Sequence, residues 1–405
     1  MGYFSGGKNM KRRNLFRVGL SAAAAFATVA AFGSAAQADQ GIHDDKIVLG
    51  SHQPLSGPVA LWGVPVTNGM RMAVEEINEK GGINGRKLEL IVEDTAYQQN
   101  KAAQAGDKLI KKDKVFALVG PLGTPTNMVT MPRALKKGVM NIFPLSAAKE
   151  MFEPHHKLKF SNLTPYDDQM RAAVKYFVDN EGVKQIGVLY QDDDFGKNVL
   201  LGCSEQAKAM GLPEVIKTNF KRGSKDFSSQ IAKLKSGGAE LICLGTIIGE
   251  TIGSMATARK IGYSPKFVVS SAGYVPENIT LAKGLTEGLY GTGQTPIPYY
   301  EDATPEVKAW MDKYKARFDK PAVLQSIAGY ELIKLFGDAV DAAGRDLTAE
   351  KVATAMESIK DYPSMFGGAT MSFSEKDHLG PDKRNSAVLS KVVGPKWQTV
   401  TKISY

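Results

Sequence analysis

Cysteine and histidine are scarce, and each scarcity closes off a class of protein. With 2 Cys in 405 residues the chain cannot carry a disulfide framework, and it has no Cys-x-x-Cys or zinc-type spacing. Cys243 sits in the apolar run ELICLG and Cys203 in a helical stretch. They are open either to pairing in an oxidising compartment or to separate burial as thiols. Of the 5 His, only His155 and His156 are neighbours in sequence. Adjacent loop residues point apart and no third ligand is evident, so no metal is expected. Catalytic signatures are missing too. Residues 39–405 hold no Gly-x-Ser-x-Gly, no Gly-x-Gly-x-x-Gly after a strand and no His-Glu-x-x-His. His52, at the end of the first apolar strand, has no partner nucleophile; it is placed to touch a ligand or to tie down its loop. Neither an enzyme nor a cofactor is expected.

Excess charge is also scarce once the N-terminus is set aside. Lys8, Lys11, Arg12, Arg13 and Arg17 form a positive n-region without an acid, residues 18–32 an Ala-rich apolar h-region, and Ala36-Gln37-Ala38 a small-x-small cleavage site. The h-region is too short to span a membrane. The expectation is a chain cut after Ala38 and delivered to the periplasm. Arg12-Arg13 ahead of Leu15-Phe16 loosely resembles a twin-arginine signal, an ordinary basic n-region being the plainer reading, and Met10 is an alternative start. Removing those 5 of 51 basic residues leaves 46 against 42 acidic ones, a net charge of +4 on 367 residues. That balance serves solubility and leaves no nucleic-acid footprint. No later run is apolar enough to cross a membrane, and the length exceeds one ordinary core, so two domains are expected.

What is present in quantity is alternation. Apolar runs such as FALVG, IGVLY, LICLG and FVVSS are separated by amphipathic stretches, in two successive series. The first series predicts strands from 47, and over 88–93, 115–120 and 140–144, with helices from 63–68 to 80, 100–112 and 125–137. The second predicts helices over 166–180, 196–210, 227–235 and 250–261, with strands over 185–190, 214–220, 240–245 and 266–270. Strands without polar alternation are buried on both faces, and strand–helix alternation of this kind gives parallel, doubly wound sheets. The fold class expected is α/β, two doubly wound parallel-sheet lobes. The extended, Pro-marked segments NLTP (162–165) and GQTPIP (293–298) are the places where the chain would cross between them.

The stretch IVLGSHQPLSGPVALWGVPVTNGMRMAVEEINEKGG, residues 47–82, carries most information. It reads as a strand, a loop of small residues, and a helix with Met70, Ala73, Val74 and Ile77 on one face, stopped by Gly81-Gly82. Amides at such a helix start are free to hold an anion, and Trp62 is expected in the loop, within reach of a ligand. The wording LSGPVALWG, followed by NEKGGINGRKLEL, resembles the first lobe of the leucine/isoleucine/valine-binding proteins, the type I periplasmic solute receptors of bacterial ABC importers. The resemblance covers nearly all of 46–405. It implies one lobe from 39–163 plus 297–376 and another from 164–296 plus 377–405, joined by a three-segment hinge whose third crossing lies near 375–382. Helices over 305–318 and 321–343 would return to the first lobe, and strands over 387–393 and 398–403 to the second. It also implies a monomer that closes on its ligand and hands it to an inner-membrane permease with its own ATPase subunits.

The candidate ligand loops all follow strands. In Gly120–Pro125 the resemblance implies that Thr124 offers a hydroxyl and an amide to a ligand carboxylate, with Leu122 and Gly123 offering backbone groups. Thr124-Pro125 independently reads as N-cap and first helical residue, and no Walker Lys follows. Ser146, Ala147 and Ala148 match a second ligand loop. Phe195 fills the position of an aromatic that packs on the ligand. Asp192, Asp193 and Asp194 before it read as acids complementing a helix N-terminus rather than as a calcium site. The chain departs from the amino-acid receptors elsewhere: Ala272 stands where they carry an acid for the α-ammonium, Ile247 where they often carry a polar aromatic, and Gly123 at one position of their first-lobe disulfide. With Trp62, Phe195 and Tyr274 as flat apolar walls, the expected ligand is an aromatic or hydrophobic carboxylate. A leucine-like amino acid, its ammonium taken by Glu250 or Asp194, is the alternative. A sensory receptor of the same fold is a further one.

Overall fold

The computed structural model describes residues 40–381 and 387–405; the expected signal peptide and its cleavage point lie outside the described residues. The chain opens with β1 (Lys46–Gln53), α1 (Ala60–Glu79), β2 (Lys87–Asp94), α2 (Gln99–Asp107), β3 (Ala117–Val119), α3 (Thr124–Lys136), β4 (Met140–Ile142) and β5 (Lys159–Phe160). These strands form an all-parallel sheet in the order β2-β1-β3-β4-β5. From Ile47 to Gln53, β1 is buried without interruption, which is why its sequence shows no polar alternation.

The second series is α4 (Tyr166–Glu181), β6 (Ile186–Gln191), α5 (Asp194–Ala209), β7 (Ile216–Phe220), α6 (Ser228–Ser236), β8 (Leu241–Gly245), α7 (Gly249–Lys260), β9 (Lys266–Val269), α8 (Glu277–Thr280) and β10 (Tyr290–Gly293). After it come α9 (Pro305–Phe318), α10 (Leu324–Ala342), α11 (Ala349–Glu357), β11 (Ala387–Val393) and β12 (Lys396–Ile403). The second sheet runs β12-β11-β10-β9-β8-β6-β7. Strands β6 to β10 are parallel, as expected; β11 pairs antiparallel with both β10 and β12. For β11 and β12 the reason is local: Gly394, with a left-handed φ of 59°, and Pro395 are their whole connection, and parallel neighbours would need a long crossover.

Helices α9 and α10 pack on the first sheet, where Trp310, Tyr314, Ile333 and Phe336 share a core with Ile47 and Leu49. The closest approach is between α1 and α10. A Cβ on Gly69 would lie 1.9 Å from the Ser326 carbonyl oxygen, and one on Gly329 2.1 Å from that of Val66. Only glycine lets two backbones meet so closely. Pro65, inside α1, cannot donate to the Leu61 carbonyl, and Gln325 Nε2 of α10 donates to that oxygen instead, at 3.4 Å. The second sheet has its own core, including Phe177, Val188 and Cys243. Of the two fates open to the cysteines, the structure has the pair: Cys203 on α5 and Cys243 on β8 form a disulfide. The chain passes between the two sheets at 161–165 and again at 294–299. Later it runs beside β5, where Leu379 bridges Ser161, before residues 382–386, which lie outside the described part. Among the described residues no helix is long and apolar enough to cross a membrane.

Candidate ligand-binding site

The loops at the C-terminal ends of strands in both sheets converge on one cleft, where open α/β sheets place their ligands. The cleft holds about 1420 Å³ of space between protein atoms, its opening to solvent included. Trp62, Leu122, Gly123 and Thr124 line it from the first sheet's side, and Phe195, Ile247, Ala272 and Tyr274 from the second's. Ser146, Ala147 and Ala148 do not line it; Ser146 is hydrogen-bonded to Thr124, and Leu145 takes the wall position in that loop.

The two first-sheet loops are zipped together. Gly123 N–H donates to the Leu145 carbonyl at 3.1 Å, Leu145 N–H to that of Pro121 at 2.9 Å, and the Thr124 and Ser146 hydroxyls share a hydrogen bond of 2.7 Å. Thr124 is not the N-cap that its place before proline suggested. Gly123 is the cap, and Thr124 opens α3 with no side-chain capping bond. The cause is Gly123's φ of 99°, which turns the chain one residue earlier; a Cβ there would also strike the Tyr97 ring at 2.5 Å. The consequence is that the Thr124 hydroxyl is not spent on capping, while the first amides of α3 have no intrahelical carbonyl to serve. Trp62 is likewise not in the loop: α1 begins at Ala60, so the indole stands in its first turn. Its Nε1 donates to the Ala272 carbonyl at 3.2 Å, across the cleft.

On the opposite side Asp193 caps α5 by accepting from the Phe195 and Gly196 amides, and it pairs with Arg222 at 2.9 Å. Its oxygens are therefore occupied by donors rather than disposed around a cation. Phe195 is buried edge-on against Tyr166, ring centroids 5.0 Å apart. Tyr274 is buried as well; its hydroxyl is shared with Ser390 at 2.9 Å and its ring meets Trp397. His52 does not reach the cleft. Its Nε2 lies 2.8 Å from the Thr130 hydroxyl, and burial pushes its pKa down to about 3, so it is neutral.

Several lining residues escaped the sequence reading. Tyr97 follows β2 with a left-handed φ of 58°, under the Arg222 guanidinium, which also donates to its carbonyl at 2.8 Å. The rule that ligand loops follow strands would have reached it. Tyr166, whose hydroxyl burial pushes up to about 12, and Gln169, fully engaged by Ser271, Thr292 and the Thr164 carbonyl, had no local signal. Glu331 of α10 is the largest omission. It is the one charged side chain on the cleft wall, which carries no Lys, Arg or His among the described residues. Glu250 and Asp194 do not line the cleft. A wall of aromatics and aliphatics with a few neutral donors is suited to holding a small amphiphile, and it offers no nucleophile–base pair.

Two sheets of this topology, with loops from both lining one cleft, form a frame for holding a small ligand. The chain belongs to the periplasmic binding protein family, whose model matches residues 46–384. Its relatives include the leucine-, isoleucine-, valine-, threonine- and alanine-binding protein of Pseudomonas aeruginosa, 26% identical over 83% of this chain and 87% of that one. Another is the Leu/Ile/Val-binding protein BraC3 of Rhizobium johnstonii, 27% identical over 80% and 87%. Similar solved structures share the fold. A fatty acid ABC transporter substrate-binding protein from Thermomonospora curvata matches at TM-score 0.80 and 23% identity, covering 91% of this chain and 94% of that one. A branched-chain amino acid ABC transporter protein from Thermus thermophilus with bound valine matches at 0.78 and 17%, covering 89% and 97%.

Proposed function

We propose that this chain is the periplasmic substrate-binding component of a branched-chain amino acid-type ABC importer. It captures a small carboxylate between two lobes and presents the closed form to a membrane permease. The lobes are 39–163 with 297–376, and 164–296 with 377–405; the mature monomer begins after Ala38. The observation that carries the reading is the anion-accepting corner formed by the Thr124 hydroxyl and the first turn of α3, set among apolar walls on one side of the cleft. Loops of the other side, with Phe195 and Ile247, close over it, and hinge closure is the motion such a pair of lobes allows. A relative that binds amino acids, and similar structures from fatty acid and branched-chain amino acid ABC transporters, support the reading.

An aromatic or other hydrophobic acid is the favoured ligand. Ala272 supplies no charge for an α-ammonium and its carbonyl is occupied by Trp62. An unpaired buried charge would be costly there. A leucine-like amino acid is the second reading, favoured by the relatives' names. Calorimetry with leucine, phenylalanine, benzoate and a hydroxycinnamate separates the two. Heat from the acids that lack an amine is expected. Micromolar leucine binding with no heat from those acids would remove the preference and leave the receptor standing.

A further inference from the structure

The cleft does not end at the strand-end loops. It continues along α10, where Leu324, Ile327, Ala328, Glu331 and Leu335 recur at the spacing of one helical face. The facing wall is the segment 362–371. Hydrogen bonds between Tyr362 and Met371 clasp it at both ends, and Phe366 anchors it against Trp310, centroids 4.8 Å apart. The crossings 162–164 and 293–298 complete this inner compartment.

One group in it is an acceptor without sufficient donors. Glu331 is an acid in an otherwise apolar stripe, and the only donor on it among the described residues is the Ser364 hydroxyl. No basic side chain shares the wall. A structural acid in a core is normally satisfied from all sides, because an unpaired buried carboxylate is expensive. Glu331 instead stands on the wall of the cleft with a single hydroxyl donor.

We propose that Glu331 forms a second polar subsite in which the ligand's far end, the one remote from its carboxylate, is held through a hydrogen-bond donor, an amine or a hydroxyl. The proposal rests on the carboxylate-receptor reading above and deepens it. The ligand is then bipolar: an anionic end at Thr124, an apolar middle between the aromatic walls, and a donating end at Glu331. Burial keeps the Glu331 carboxyl partly protonated near neutrality, so a charged amine is the donor that draws it fully into its ionised form.

The test is calorimetry on straight-chain alkanoates of four to eight carbons, with their ω-amino and ω-hydroxy derivatives, against the wild type, Glu331→Gln and Glu331→Leu. At the length that spans the two subsites, the ω-amino compound should bind the wild type at least tenfold tighter than its unsubstituted parent. Glu331→Gln should abolish the amine's advantage and retain part of the hydroxyl's; Glu331→Leu should abolish both and favour the parent. The isosteric Gln variant carries the test if Leu does not fold. Equal affinity of parent and derivative at every length overturns the proposal, as does an advantage that survives in Glu331→Leu. Binding of leucine or benzoate with no response to the whole series overturns the subsite but not the receptor. Silence from every compound overturns both.

Discussion

Glu331→Gln should alter the pH dependence of folding in the ligand-free protein, and its sign follows from burial. The carboxyl is pushed up to about 7 in the folded chain, from an ordinary 4.5, because the cleft wall and α10 desolvate it; the Ser364 hydroxyl opposes the shift only in part. Tyr330 and Tyr362, which lie near it, donate their hydroxyls to Glu76 and Asp338 and bring it no positive charge. Below pH 4.5 the carboxyl is protonated folded and unfolded, and it costs nothing. Between 4.5 and 7 the unfolded chain ionises first, so stability is lost as pH rises; above 7 the loss is complete. At roughly 1.4 kcal/mol per pH unit the full effect is about 3.5 kcal/mol, an upper bound since the side chain is not wholly enclosed. Glutamine keeps the shape and the acceptor and cannot ionise. Urea melts of wild type and variant at pH 4.5, 6 and 8 should therefore coincide at the acid end and diverge by about 2–3 kcal/mol at pH 8, the variant being the more stable. Taking the difference cancels other buried acids, such as Asp167, which burial raises to about 6. A constant difference across pH, or a less stable variant at pH 8, would refute the desolvated, unpaired carboxylate on which the argument stands.

Thr124→Ala should weaken carboxylate binding about tenfold or more, since a charge-assisted hydrogen bond contributes roughly 1.5–3 kcal/mol; apo melting should move little, as the Ser146 hydroxyl loses only one 2.7 Å partner. Unchanged affinity in calorimetry would return Thr124 to a purely structural role. Gly69→Ala gains helix propensity yet should lose about 2 kcal/mol or more in denaturant melts, because its Cβ would sit 1.9 Å from the Ser326 carbonyl. Reducing Cys203–Cys243, which encloses a separation of 40 residues, should lower stability by about 3–4 kcal/mol, measured as the urea midpoint with and without reductant.

Much of this protein is set locally. The unbroken apolar strands demanded two-sided burial, and the helices between them demanded parallel sheets, because neither pattern can be satisfied on a one-faced sheet. The strand-end loops with Thr124, Phe195, Ile247 and Ala272 were legible for the same reason: in such sheets strand ends and helix starts meet at the ligand. What escaped were details that depend on residues far apart in the chain. Thr124 lost its capping role to Gly123 through a left-handed turn packed on Tyr97, and Trp62 was drawn into α1 and across to Ala272. Whether Cys203 and Cys243 meet depends on how α5 lies on β8, which spacing does not encode. The acid of the site is the clearest case. In sequence Glu331 is one polar residue in an apolar helical stripe, which is ordinarily a solvated edge. Only the packing of α10 against the 362–371 segment and the two crossings takes water away from it and leaves it facing the cleft. A helix fixes which residues share a face, but burial is decided by what comes to lie against that face.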